Sequence, residues 1–387
     1  MIQKFFDNVR PHFEPGGKLQ AFHSVFDGLE TFAVVPNRTS RVGVSVHDAI
    51  DSKRIMSFVV LALVPALLVG MYNIGFQNYK AAGVDGSFWA CFFYGLAVTL
   101  PKIAVSYIVG LGIEFIVAQW KKEEIQEGFL VSGILIPMIV PVGTPLWMLA
   151  VAVAFSVIFA KEIYGGTGMN IFNPALVTRA FLFFAWPTKM SGDAVWVSTE
   201  QVLGLGQNLP DGFTAATALG QAGANHPVTT SVCEMFTGLM PGSIGETSFI
   251  AIMLGAALLL WTRIASWRTM FSVFAGGALV ALLFKSFGAA DNVSAQLGVE
   301  HLLLGGFAFG AVFMATDPVT SARTETGKYY YGFFIGALAV IVRVMNPGFP
   351  EGMMLAIFFG NMIAPLIDYC VVQRNISHRV KRISKVQ

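Results

Sequence analysis

Two groups of residues in this sequence have types and spacings suited to chemistry. The first is the run Asp211-Gly212-Phe213-Thr214-Ala215-Ala216-Thr217, flanked by Pro210 and Gly220. Asp, Gly and Thr form turns, and small neighbours leave the Thr217 hydroxyl accessible, so the run reads as a surface turn or as one presenting a nucleophilic or modifiable hydroxyl. The second group is the carboxylates Glu114, Glu162, Asp317 and Asp368, which lie in or at the edge of apolar stretches, as do Lys102, Arg179, Arg343 and Glu351. An ionisable group at mid-membrane costs on the order of 3 kcal/mol, so each needs a partner, water, an interface or a function. Carboxylate oxygens suit a hard cation such as Na⁺, and the plainer reading of each acid is a snorkelling or ion-paired side chain. Asp317, in Ala315-Thr316-Asp317-Pro318, and Asp368, in Ala364-Pro365-Leu366-Ile367-Asp368, stand out because a nearby proline frees backbone carbonyls to share an ion.

The elements that position these groups are apolar. Of 387 residues, 55% are hydrophobic and 12% are charged, against roughly 25% charged in a soluble domain. An ordinary soluble enzyme is excluded. A net charge of +2 argues against nucleic-acid binding, which needs a basic face. Cys91, Cys233 and Cys370 form no CxxC, so neither a disulfide framework nor a protein-held iron–sulfur or zinc site is expected. The histidines are scattered, with no pair at the spacing of helical metal or haem ligands.

Hydrophobic stretches recur at about 55–74, 88–118, 128–141, 145–163, 170–187, 248–262, 269–287, 302–316, 329–345 and 352–372, predicting ten spans. The stretches 128–141 and 302–316 are too short for a full crossing and read as half-helices or helices broken near prolines, while Pro101 predicts a kink in 88–118. With the N-terminus inside, the outer segments hold only Lys80, Lys189 and Lys285, and Lys102, Arg179 and Arg343 fall within spans. The rest of the 25 Lys and Arg then lie on the cytoplasmic side, as the positive-inside rule requires. This predicts a cytoplasmic segment 1–53, a first five-span repeat 54–187, an extracytoplasmic loop 188–247, a second repeat 248–372 and a basic cytoplasmic tail 373–387.

Faint echoes relate the halves: Asn173-Pro174 with Arg179 six residues on, and Asp317-Pro318 with Arg323 six on. A duplicated five-span half enters the membrane inverted, the plan of many transporters, with helix ends of the short spans at mid-membrane. The expected fold is thus an all-α polytopic membrane protein with about ten transmembrane helices in two inverted repeats, resembling the urea and ammonium transporters. Gly165-Gly166, Gly276-Gly277 and Gly305-Gly306 are expected to permit close helix packing. Gly110-Leu111-Gly112, beside Glu114, reads as packing or as room for a flat ligand. Glu114, Asp317 and Asp368 are expected to form part of an inner Na⁺ entry, with Glu162 a further candidate.

The run ending at Thr217 is similar to the flavinylation signature Asp-Gly-x-Ser/Thr-Gly/Ala-Ala-Thr, at whose last residue a flavin transferase attaches FMN through a phosphoester bond. Further blocks carry a wider resemblance: Phe13-Glu14-Pro15-Gly16-Gly17-Lys18, Gly165-Gly166-Thr167-Gly168, Asn173-Pro174-Ala175-Leu176, Pro241-Gly242-Ser243-Ile244-Gly245-Glu246, Phe313-Met314-Ala315-Thr316-Asp317-Pro318 and Asn346-Pro347 through Pro350-Glu351-Gly352-Met353-Met354. Together they resemble the B-type subunit of the Na⁺-translocating NADH:quinone reductase (NQR) family across almost the whole chain.

That resemblance implies a translocating oxidoreductase of six subunits in the bacterial inner membrane, with five partners, oxidising NADH, reducing ubiquinone and exporting Na⁺. It implies covalent FMN at Thr217, with Asp211, Gly212, Thr214 and Ala216 completing the motif, and a noncovalent riboflavin. It also implies a share of the quinone site. Ala215 stands where many members have Gly, and Leu111 follows Gly110 where some relatives have a second Gly linked with quinone and inhibitor binding. No NADH fingerprint appears, so hydride acceptance falls to a partner. The alternatives are the D-type subunit of an Rnf-type ferredoxin:NAD complex, which is typically shorter at the N-terminus, and a passive urea- or ammonium-type channel.

Overall fold

A computed structural model describes residues 2–13, 17, 19–20, 23–34, 43, 52–121, 128–210, 212–289, 291–346, 348 and 351–383. Asp211 of the flavin signature, residues 14–16 and 18 of the first resemblance block, and Pro347 and Pro350 of the last lie outside them. Within the described residues the protein is helical and has no strand; its one isolated bridge joins Val202 and Leu205.

The helices in chain order are α1 (Ile2–Val9), α2 (His23–Ala33), α3 (Ser52–Ala81), α4 (Phe88–Lys121), α5 (Phe129–Ile139), α6 (Leu146–Ser156) and α7 (Pro174–Ala185). After them come α8 (Pro187–Met190), α9 (Ala218–Gly223), α10 (Val232–Thr237), α11 (Phe249–Trp261) and α12 (Trp267–Phe287). The last are α13 (Val293–Gln296), α14 (Phe307–Phe309), α15 (Glu325–Met345) and α16 (Met353–Ile383). A π turn, Val157–Lys161, extends α6, and another, Gly310–Met314, extends α14.

A crossing needs about 20 apolar residues. Six of the described helices are long and apolar enough: α3, α4, α6 with its extension to Tyr164, α12, α15 and α16. Helices α5, α7 and α11 are apolar but shorter. The protein is therefore a polytopic, all-helical membrane protein. The short stretches expected at 128–141 and 302–316 become α5 and the α14–π segment, and Pro101 sits inside α4 without ending it.

Without a hydrophobic drive between helices in lipid, close packing has to supply the adhesion, and small residues let backbones approach. At the α12–α15 crossing a methyl on Gly336 would lie 2.0 Å from the Val273 carbonyl oxygen, and one on Gly276 would lie 2.4 Å from that of Phe333. Gly95 of α4 meets the Met71 carbonyl of α3 in the same way, and Gly255 of α11 that of Ala62. The pair Gly165-Gly166 departs from the packing expectation. Both residues have positive φ, +114° and +93°, and no atom beyond chain neighbours would touch a Gly166 methyl. Glycine is needed there for the left-handed backbone that ends the α6 extension.

The connection between α7 and α11 is clamped to the ends of α3 and α4. Asn78 donates to the Ser198 and Gln207 carbonyls at 2.8 and 2.9 Å and accepts from the Gln207 amide at 2.8 Å. The Tyr94 hydroxyl donates to the Glu200 carbonyl at 2.6 Å, and Asn73 to that of Met240 at 2.9 Å. A satellite core of Ala218, Leu219, Ala222, Met235, Met240, Leu297 and Leu304 then seats α9 against the segment leading into α14.

Candidate functional site

Thr217 is the N-cap of α9. Its backbone is extended (φ −68°, ψ 158°) and its hydroxyl oxygen accepts from the Gly220 amide at 3.0 Å. The cap fixes the side chain as an acceptor and leaves the O–H proton free of that bond. Upstream, Gly212 takes φ +85° and the Ala215 amide donates to the Asp193 carbonyl at 2.8 Å, which holds the loop in place. Thr214 and Ala216 line a neighbouring cavity of about 390 Å³ shared with Lys80 and Glu234. Glu234 closes a capping box with Ser231, whose bonds hold its carboxyl below the ordinary carboxylate range.

Half-buried Thr217 opens into a cavity of about 270 Å³ whose wall includes Asp193, Trp196, Ser243, Glu246 and Glu351. Behind its floor lies a network of opposite charges. Arg179 of α7 pairs with Glu351 and donates to the Ser243 hydroxyl at 3.5 Å, and Ser243 donates to the Ile139 carbonyl at 3.3 Å. The Gly245 amide donates to the Met138 carbonyl at 2.8 Å, so this loop satisfies carbonyls at the end of α5. Burial pushes the carboxyl of Glu246 up, with Arg179 opposing the rise. Arg343 is 1% exposed and donates to the carbonyls of Glu351, His301 and Leu304 at 2.8, 2.6 and 3.1 Å.

A small cavity of about 20 Å³, bounded by Ile139, Leu176, Arg179, Glu246, Met314 and Glu351, lies beyond that floor. A second cavity of about 110 Å³ has Ser132, Lys161, Asn170, Asn173, Thr316 and Asp317 on its wall. Asp317 accepts from Asn173 at 3.2 Å, from the Thr320 hydroxyl at 3.0 Å and from the Val319 amide at 3.1 Å. Asn173 caps α7 through the Ala175 amide at 2.9 Å, so one residue ties the start of that helix to the acid.

The other sequence-predicted acids have separate partners. Glu114 accepts from Lys161 in an ion pair with both side chains buried, and Glu162 lies 3.6 Å from Lys121. Asp368 accepts from the Arg323 and Thr324 amides at 2.7 and 2.9 Å and from the Thr324 hydroxyl at 2.5 Å, holding Thr324, the N-cap of α15, in place. Asp317 alone among these four lines the second cavity. At Gly110 the structure favours packing: a methyl there would lie 2.0 Å from the Phe129 ring, and half-buried Leu111 packs against the core.

The model of the NQR2, RnfD, RnfE family matches residues 39–377. The chain belongs to this family. Over 98% of its length it is 44% identical to a protein of Chromohalobacter salexigens, of which 96% is covered, named as the B-type subunit of the Na(+)-translocating NADH-quinone reductase. Proteins with the same name from Pseudomonas aeruginosa and Azotobacter vinelandii are each 42% identical, and 99% of each is covered. The family spans both the NQR and the Rnf subunits, and these relatives carry the NQR name.

Site residues to which the sequence patterning gave no chemical role are Glu246, Ser243, Asn173 and Lys161, although Asn173 stands in the repeat echo. A carboxylate in a polar loop is ordinary, and the only signal at Glu246 was its place in the Pro241–Glu246 block. Arg179 and Arg343 were legible as charges within spans, but not as two sides of one network.

Proposed function

We propose that this chain is the flavin-bearing membrane subunit of a Na⁺-translocating NADH:quinone oxidoreductase in the bacterial inner membrane. The observation that carries the reading is Thr217: a hydroxyl capping a short helix, ending the flavinylation signature, at the wall of a cavity of about 270 Å³. A phosphoester on this oxygen fits the site, because the cap holds the side chain while the cavity leaves room beside it. Relatives that carry the NQR name over almost the whole chain favour the NQR over the Rnf reading.

Flavin held here supplies electron transfer when bound. The protein's part is to anchor it at Thr217, wall it with Trp196 and Glu246, and keep water and side reactions from its ring. The noncovalent riboflavin is assigned to the second cavity, where Asn170, Asn173 and Thr316 offer donors and acceptors beside Asp317. In this reading Thr217 would hold the FMN and the second cavity the riboflavin, and together they would supply electron carriage toward ubiquinone, with Gly110 and Leu111 kept as quinone-site candidates. Hydride from NADH enters through one of five partner subunits, and a flavin transferase matures this one.

Ten spans in two inverted five-helix halves, 54–187 and 248–372, fit this role, with both termini cytoplasmic and the 188–247 loop periplasmic. In that arrangement Asp317 faces the inner side and offers oxygen ligands to entering Na⁺, with Glu114, Glu162 and Asp368, each held by its own partners, kept as candidates along the path. A charge gained in a low-dielectric site raises the affinity of nearby oxygens for a cation, and its departure lowers it, which couples redox to transport.

The test is the intact mass and denaturing-gel fluorescence of the chain matured with its flavin transferase. Wild type is expected to carry an FMN-sized increment and Thr217→Ala none. An unmodified wild-type chain removes the flavin-bearing part of this reading.

A further inference from the structure

The polar network behind the Thr217 cavity serves no purpose that anchoring alone requires. Two carboxylates, Glu246 and Glu351, reach the cavity wall, while the guanidinium of Arg179 lies against the smaller cavity on their far side. Both carboxylates border both cavities, so they form the partition between them. The partition is held rigidly. Arg179 is fixed by Glu351 and Ser243, and Ser243 by the end of α5. Arg343 is fixed by three carbonyls and by the Phe307 ring at 5.6 Å. A side chain on Gly306 would collide with Glu246, 2.6 Å from its Oε1, so glycine there lets the carboxylate reach the start of α14.

The anchored hydroxyl is tied to the same structure. Leu219, two residues after Thr217, packs on Gly305: a methyl there would lie 2.6 Å from the leucine Cδ1 and 3.2 Å from Arg343 Nη2. Fixed charges in a low-dielectric wall act strongly on any group in the cavity that changes its charge, and rigid ones cannot relax to cancel the effect.

We propose that Glu246 and Glu351, backed by Arg179 and Arg343, set the reduction potential of the flavin attached at Thr217. The inference rests on the flavin reading of Thr217. The two carboxylates oppose added negative charge in the cavity and keep the flavin a ready electron donor; the arginines hold them in place and limit that opposition. A neutral wall would make the flavin hold its electron more tightly.

The experiment uses the full chain, matured with a flavin transferase, with attachment checked by denaturing-gel fluorescence and the potential read by spectroelectrochemical titration at pH 8. Glu246→Gln and Glu351→Gln are each expected to keep the attached flavin and to shift its reduction equilibrium about tenfold toward the reduced form. That shift corresponds to about 59 mV for a one-electron couple. Arg179→Met is expected to shift it the opposite way. If one variant does not assemble, the others carry the same measurement. Attached flavin with an unchanged potential in the assembled Gln variants overturns the proposal. A wild-type chain without attached flavin overturns the Thr217 reading instead, and the gel distinguishes the two failures.

Discussion

The cavities at Thr217 and at Asp317 are built on opposite principles. The Thr217 cavity has a floor of held charges, Arg179 paired with Glu351, and Arg343 on three carbonyls. The Asp317 cavity is walled mainly by apolar side chains, with Ser132, Thr167, Asn170, Asn173 and Thr316 as its neutral polar groups and the nearby ammonium of Lys161 committed to Glu114. Locked pairs give a fixed field and little capacity to take up an ion. Asp317 accepts only from neutral donors and borders its cavity, so an entering cation can reach its oxygens. The contrast suits an anchored electron carrier on one side and a cation on the other.

The largest expected effect separates the cavities outright. Thr217→Ala removes all covalent flavin, while Asp317→Asn leaves it attached; loss of in-gel fluorescence in both would mean that the cavities are not independent. Next, Arg343→Met strands three carbonyls and the charges around them and is expected to cost about 3–5 kcal/mol, seen as a lower melting temperature in detergent. A melting point within a degree of wild type would show that the floor of the Thr217 cavity is not locked. At the second cavity, Asp317→Asn is expected to raise the Na⁺ concentration for half-maximal quinone reduction about tenfold, near 1.4 kcal/mol. Asp368→Asn, whose oxygens are already committed to the α15 cap, should change it less than about threefold while costing about 1 kcal/mol of stability. Equal Na⁺ shifts in the two would return Asp368 to the same footing as Asp317.

The smallest effect concerns pH. Glu234 is held below the ordinary carboxylate range by Ser231, so its contribution is complete above that range and lost as pH falls through the depressed value. Glu246 runs the other way: its raised carboxyl takes up a proton on folding, and stability declines as pH rises from the ordinary range to the raised one. Protection of the Ser231 and Glu234 amides from hydrogen exchange, taken relative to the intrinsic rate at each pH, should fall only in acid, and Glu246→Gln should flatten the decline in melting temperature toward neutral pH. Protection insensitive to acid would remove the Glu234 assignment.

Much of this was legible along the chain. The long apolar runs announce α3, α4, α12, α15 and α16, and the brevity of 128–141 and 302–316 announces short helices there. Thr217 was found because its motif is contiguous. Glycine was harder to read: Gly276 and Gly336 do pack, whereas Gly165-Gly166 serve a left-handed turn. The same residue type answers two needs, and only the backbone angle distinguishes them. Acids were harder still, since Glu114 and Asp368 differ from Asp317 in their partners rather than in their local sequence.

The sequence by itself determined that the chain lives in lipid and that one threonine ends a run resembling the flavinylation signature, because hydropathy and a contiguous motif depend on neighbours along the chain. Tertiary structure decided which charges cancel, which carboxylate lines a cavity and which surface meets the Thr217 hydroxyl. Arg179 and Glu351 stand 172 positions apart, and Asn173 and Asp317 stand 144 apart. Electrostatic energy depends on distance through space and on burial, and neither is a property of chain order.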